Sequence, residues 1–251
     1  SLSAQQSLSV SVPSGSYIVR GDYDGDGATD TAVFFVGFWT LYLADGSTEF
    51  HAWGVAGDIP VTGDFDGDGT TDLAVYRPDN GGGFSAWFII NSSTGLASVV
   101  SFGIAGDQPI AADFNGDGWT DIAVWRPSIG FWFVLDTRSG ALIQAVQFGL
   151  NGDTVRVADF DGDGRADKIA WRNGFWFVLP SSGGFSVVAW GLPGDIPVPS
   201  EYAGTGDVDF AVFRPADGNL FVLTQAGASF VVNNGVPTDQ VIGVKPALPV
   251  S

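Results

Sequence analysis

DYDGDGATD at 22–30, DFDGDGTTD at 64–72, DFNGDGWTD at 113–121 and DFDGDGRAD at 159–167 are one nine-residue phrase written four times. A fifth, EYAGTGDVD at 201–209, keeps the frame but loses the acids at its third and fifth positions. The starts lie 42, 49, 46 and 42 residues apart, a period that marks a repeat architecture. What flanks the phrase repeats with it. An apolar run follows each copy (TAVFF, LAVYRP, IAVWRP, KIAWRN, FAVFRP), then an aromatic run (GFWTLYL, AWFII, GFWFVL, GFWFVL, GNLFVL). A polar turn comes next, and then a run ending in an aromatic residue and glycine at Trp53-Gly54, Phe102-Gly103, Phe148-Gly149 and Trp190-Gly191, with Asn234-Gly235 in the fifth unit. Asp58, Asp107, Asp153, Asp195 and Asp239 then precede the β-prone run that leads to the next acidic phrase.

Each unit therefore carries four short β-prone runs separated by glycine-rich turns, and none has a 3.6-residue apolar period of helical length. The middle runs are apolar at consecutive positions, as strands buried on both faces require. Four strands per unit of some forty residues is the pattern of one propeller blade, and a blade cannot cover its own faces, so blades must stack about an axis. The expected fold is all-β: a five-bladed β-propeller over 17–251, preceded by an extension or edge strand within 1–16. Thr238–Ile242 aligns with the start of a sixth unit and is positioned to close the ring on Tyr17–Arg20; Ser7–Val12 reads as an added edge strand. The alternative is that the chain is a fragment of a larger ring.

The acidic phrase has the chemistry of a calcium loop. Calcium takes six to eight oxygen ligands in a flexible shell, and acids at alternate positions of a curled chain converge on one ion. Loop one offers Asp22, Asp24, Asp26 and Asp30 with the carbonyl of Ala28. Loop two offers Asp64, Asp66, Asp68 and Asp72 with that of Thr70. Loop three offers Asp113, Asn115, Asp117 and Asp121 with that of Trp119. Loop four offers Asp159, Asp161, Asp163 and Asp167 with that of Arg165. Glycines at the fourth and sixth positions permit the curl. An EF-hand differs in having flanking helices and a glutamate at position 12. Four Ca²⁺ per chain are expected, with the fifth loop, left with Glu201 and Asp209, empty or very weak.

The chain has 28 acidic and 10 basic residues, for a net charge of −18. That balance repels nucleic acid and anionic membranes, and no apolar stretch has the length of a membrane-spanning helix. Fifteen of the acids lie in the four intact loops, so much of the charge is ligand inventory. Cysteine is absent, which excludes disulfides, thiolate metal sites and a cysteine nucleophile. The single histidine, His51, lies in TEFHAW with no nucleophile motif nearby, so no catalytic residues are assigned and a non-enzymatic role is expected.

Together, the aromatic-glycine pairs at Phe102-Gly103 and Phe148-Gly149, the Gly-Asp that follows and the DFDGDGxxD phrase resemble the FG-GAP or VCBS repeats, also seen in the integrin α-subunit propeller. The resemblance spans roughly Tyr17 to Gln240. It implies a calcium-bearing propeller, a secreted or cell-surface location, and adhesion or glycan contact, with structural calcium. The reading that follows is a rigid binding or adhesion module that presents a propeller face to a glycan or protein. The alternative is an accessory propeller of a secreted polysaccharide lyase or hydrolase.

Three other series repeat in phase. Arg77, Arg126, Arg172 and Arg214, replaced by Phe35 in the first unit, are expected to pair with a nearby aspartate or line the axis rather than form a ligand ring. Trp39, Trp87, Trp132 and Trp176 are expected to pack between blades rather than serve as sugar platforms. Trp119 breaks the pattern, and two readings stand for it: ligand contact or local packing.

Overall fold

The computed structural model describes residues 13–233. Twenty strands form five separate four-stranded sheets, each an antiparallel meander in chain order. The first sheet holds β1 (Tyr17–Gly21), β2 (Asp30–Phe35), β3 (Phe38–Tyr42) and β4 (Thr48–Ala52). The second holds β5 (Ile59–Val61), β6 (Leu73–Arg77), β7 (Phe84–Ile90) and β8 (Ala97–Ile104). The third holds β9 (Gln108–Ala112), β10 (Asp121–Arg126), β11 (Phe131–Leu135) and β12 (Leu142–Gln147). The fourth holds β13 (Thr154–Ala158), β14 (Asp167–Arg172), β15 (Phe175–Leu179) and β16 (Ser186–Ala189). The fifth holds β17 (Ile196–Pro197), β18 (Phe210–Arg214), β19 (Asn219–Leu223) and β20 (Ser229–Asn233). Among the described residues there is no helix.

The consecutive apolar runs are the second strands. Leu73 to Tyr76 of β6 and Asp121 to Trp125 of β10 are buried without interruption, whereas the outermost β20 is exposed throughout. The core lies between blades, as the stacking requirement demands. One cluster joins Trp87 and Tyr76 of the second blade to Ile122 and Val124 of the third. Another joins Phe34 and Trp39 of the first to Leu73 and Val75 of the second, and a third joins Trp176 of the fourth to Phe210 and Val212 of the fifth.

The innermost strands follow one another about the axis, β1 beside β5, β5 beside β9 and β9 beside β13. Arg156 Nε of β13 then donates to the Pro197 carbonyl of β17 at 3.2 Å. Five blades form the propeller. The proposed closing strand Thr238–Ile242 and the proposed edge strand Ser7–Val12 lie outside the described residues.

Candidate metal centres

Every acidic phrase connects the first strand of a blade to the second, which puts all five loops at one end of the ring. The same local bonds build each intact one. The first aspartate caps the curl with both oxygens: Asp64 Oδ1 accepts from the Gly67 amide at 2.6 Å and Oδ2 from the Gly69 amide at 2.8 Å. Gly67 and Gly69 hold φ of +75° and +91°, a region that a side chain disfavours. Asp22, Asp113 and Asp159 cap their loops in the same way.

The last aspartate is buried and ties two turns together. Asp72 Oδ2 accepts from the Phe65 amide at 2.7 Å, and its Oδ1 from the Ser92 amide of the β7–β8 hairpin at 2.7 Å. Asp30, Asp121 and Asp167 repeat this with Tyr23 and Ala44, Phe114 and Thr137, and Phe160 and Ser181.

Positions one, three and nine converge. Asp22, Asp24 and Asp30 bring one carboxylate oxygen each within 4.8 Å of the others, as do Asp64, Asp66 and Asp72, and Asp159, Asp161 and Asp167. The fifth-position acids do not join these groups. Asp26, Asp68, Asp117 and Asp163 instead accept the amide of position seven, respectively Ala28, Thr70, Trp119 and Arg165, at 2.7–3.0 Å. Loop three has no group of three carboxylates because Asn115 stands at position three, its Oδ1 accepting the Asp117 amide at 2.8 Å. In the fifth loop Asp209 Oδ2 caps Tyr202 and Ala203, and the buried Oδ1 has no partner.

The electrostatics of these groups suit a hard cation. Burial, with Asp66 as a smaller contribution, raises the Asp72 carboxyl above its ordinary range. Burial, with Asp136 and Asp113, pushes Asp121 up to about 6. Burial, with Asp161 and Asp159, raises Asp167. Asp66 Oδ1 is buried with no hydrogen-bond partner. An all-oxygen set of crowded, partly desolvated carboxylates with an unanswered oxygen is a donor set that calcium satisfies.

The loops are also chained to one another. The amide of Thr71 donates to the Asp22 carbonyl at 2.6 Å, that of Thr120 to Asp64 at 2.7 Å, and that of Ala166 to Asp113 at 2.7 Å. The position-seven side chain lies over the first glycine of the preceding loop: Thr70 over Gly25, Trp119 over Gly67 and Arg165 over Gly116. A Cβ on Gly67 would fall 2.1 Å from Trp119 Nε1, and Arg138 sits 5.5 Å over the Trp119 ring. Trp119 is thus a packing residue between blades two and three. Sequence reading missed this belt, because each link joins residues about fifty positions apart.

The in-phase arginines pair as expected. Arg77–Asp58, Arg126–Asp107, Arg172–Asp153 and Arg214–Asp195 are all two-pronged, through Nε and Nη2. Each guanidinium lies 4.0–5.1 Å over a phenylalanine ring. The first blade replaces both partners together, with Ser16 and Phe35 at the same 19-residue spacing. The constant 19-residue interval from Asp to Arg is the signal in the sequence that could have named the partner. Trp39, Trp87, Trp132 and Trp176 are fully buried, and each Nε1 donates to the carbonyl of an aromatic-glycine pair at 2.9–3.2 Å.

At the opposite end of the ring the β2–β3-type hairpins and the links between blades expose apolar side chains, among them Phe38, Phe84, Phe175, Val55, Leu150 and Leu192. A cavity of about 410 Å³ there is lined by Phe175, Trp190, Leu192, Arg214 and Phe221. A second, of about 250 Å³, is lined by Trp53, Arg77 and Phe88.

Residues 64–124 and 113–170 match the FG-GAP-like repeat family. No curated protein matches. Among solved structures, a lectin of Agrocybe aegerita that recognises non-reducing terminal N-acetylglucosamine is 15% identical with a TM-score of 0.56, covering 88% of this chain and 81% of its own. An auxiliary nutrient binding protein of Bacteroides ovatus is 16% identical with a TM-score of 0.54, covering 87% and 57%. Virginiamycin B lyase of Staphylococcus aureus is 10% identical with a TM-score of 0.54, covering 88% and 75%. At these identities the likeness is one of fold. Residues 64–170 are FG-GAP-like repeats, set within a five-bladed β-propeller.

Proposed function

We propose that the chain is a calcium-stabilised binding module, secreted or displayed at a cell surface, that presents one end of the propeller to a glycan or protein. The observation that carries the calcium reading is the convergence of three carboxylates to within 4.8 Å in each of three loops, at positions one, three and nine. The third loop has the same curl with an amide oxygen in place of one carboxylate. Bound calcium supplies the positive charge that these groups lack. The protein's own part is to hold the oxygens in place, through the glycine curl and the tie from the last aspartate to the neighbouring hairpin.

The binding reading is supported by the opposite end, which holds the two inter-blade cavities, the larger of these two bordered by the exposed Phe175 and Leu192. Arginine N–H groups not used by the aspartate pairs can donate there to a polar ligand. A lectin and a nutrient-binding protein share the fold, which agrees with such a role.

Thermal unfolding in excess EDTA and in millimolar Ca²⁺, with metal content measured on the same sample, tests the calcium reading. A site at 100-fold saturation adds about 2.7 kcal/mol, so several filled loops raise Tm sharply. No shift and no bound metal would overturn it. A glycan array run in calcium tests the ligand; binding unaffected by Phe175→Ser with Leu192→Ser would place the contact elsewhere.

A further inference from the structure

The four intact loops differ in what stands over them. In the second blade the β7–β8 hairpin brings Ser92 and Ser93 to the loop: Ser92 Oγ donates to Asp68, 3.0 Å from each carboxylate oxygen, and Ser93 Oγ donates to Asp66 Oδ2 at 2.5 Å. In the fourth blade the β15–β16 hairpin does the same, Ser181 Oγ donating to Asp163 Oδ2 at 2.5 Å and Ser182 Oγ to Asp161 Oδ2. The first blade has Ala44 and Asp45 at these hairpin positions, and the third has Thr137 and Arg138. Ala44 has no hydroxyl. Thr137 Oγ1 is buried without a partner, and Arg138 lies over Trp119.

Ser93 and Ser182 each bind one oxygen of the third-position acid, which fixes its rotamer and leaves the other oxygen free of the hydroxyl, whereas Ser92 and Ser181 hold the fifth-position acids Asp68 and Asp163, which also accept the position-seven amides. Such outer partners orient ligands and tune affinity. Asp66 shows the consequence: Ser93 holds Oδ2, Oδ1 is buried and unpartnered, and the residue belongs to the Asp64–Asp66–Asp72 group. Charge sets only the third loop apart: it has three carboxylates where the other three loops have four, and its hairpin contributes the cationic Arg138, while in the fourth loop Arg165 pairs with Asp163 at 2.7 Å.

We infer that Ser92–Ser93 and Ser181–Ser182 are positioning residues that make the second and fourth loops the two tight calcium sites, with the first and third filling only at higher calcium. This rests on the calcium reading of the loops. Loss of such outer partners lowers metal affinity by about 10- to 100-fold.

The test is calorimetric titration of the calcium-stripped full chain with Ca²⁺, with circular dichroism confirming the fold of each variant. The wild type is expected to show two tight sites and two weak ones. Ser92→Ala with Ser93→Ala should weaken one tight site by about 10- to 100-fold and leave the other; Ser181→Ala with Ser182→Ala should do the converse. Both substitutions keep the backbone amide that caps the last aspartate. Ala44→Ser, which adds a hydroxyl over the first loop, should tighten one weak site, and it keeps the inference testable if a serine variant folds poorly. Calcium binding with isotherms unchanged in all three variants would overturn the role of the serines alone. A wild-type chain that takes up no calcium would overturn the metal reading beneath it.

Discussion

Replacing Arg126 with phenylalanine should destabilise the protein far more than replacing Arg126 and Asp107 together with the phenylalanine and serine that the first blade carries there. Asp107 is buried, and its two oxygens receive Arg126 Nε at 2.7 Å and Nη2 at 2.8 Å. Without the guanidinium only the Ile104 amide, at 2.9 Å, remains to answer the charge. Removing one partner of a buried pair costs about 3–5 kcal/mol, because the other is left uncompensated. Asp107→Ser alone should cost less, about 1–3 kcal/mol, since Arg126 keeps 22% side-chain exposure and can hydrate. In the double variant no charge is stranded, and the first blade shows that the backbone accepts the pair: Ser16 N–H donates to the Pro13 carbonyl at 3.1 Å, as Asp107 N–H donates to Ile104 at 3.0 Å. A coupling energy of about 2 kcal/mol follows, within the range for contacting residues. Urea unfolding of the four proteins at fixed calcium measures it. Additivity to within about 0.5 kcal/mol would refute the claim that the two positions act as a unit.

Two further substitutions probe the belt of loops. Gly67→Ala and Gly69→Ala both strain a positive φ, but only the first meets Trp119. Gly67→Ala should therefore be the more destabilising in thermal unfolding, and Trp119→Ala should remove the difference; equal losses in both backgrounds would refute the packing role. In the fifth blade, Ala203→Asp with Thr205→Asp restores the missing acids beside the unpartnered Asp209 Oδ1. One more calcium per chain than in the wild type is the expected metal content, and an unchanged count would show that acids at these positions do not suffice.

Much was legible because it is local. The DxDxDG phrase, its glycines and the strands on either side lie within one unit, and their period announced blades and loops alike. The pairing of Arg126 with Asp107 was readable too, since a 19-residue interval recurs in four units and both partners are lost together in the first. Trp119 was not readable. The phrase placed it in a loop, but Gly67, the surface that receives it, belongs to the previous blade. The fifth-position acids illustrate another limit: their spacing suits ligation but does not show that Asp26, Asp68, Asp117 and Asp163 also accept the position-seven amides.

A repeated β-blade with an acidic loop in four of its five copies could be read from the chain alone, because composition, period and turn chemistry act over short spans. Only the folded chain shows which hydroxyls stand over which loops, that four of the loops are bonded into a belt, and which end of the ring carries the inter-blade cavities. Those facts depend on contacts between turns and blades that are remote in sequence, such as Ser93 with Asp66, Thr120 with Asp64 and Arg156 with Pro197. Closing the ring sets such distances, and no single unit contains them.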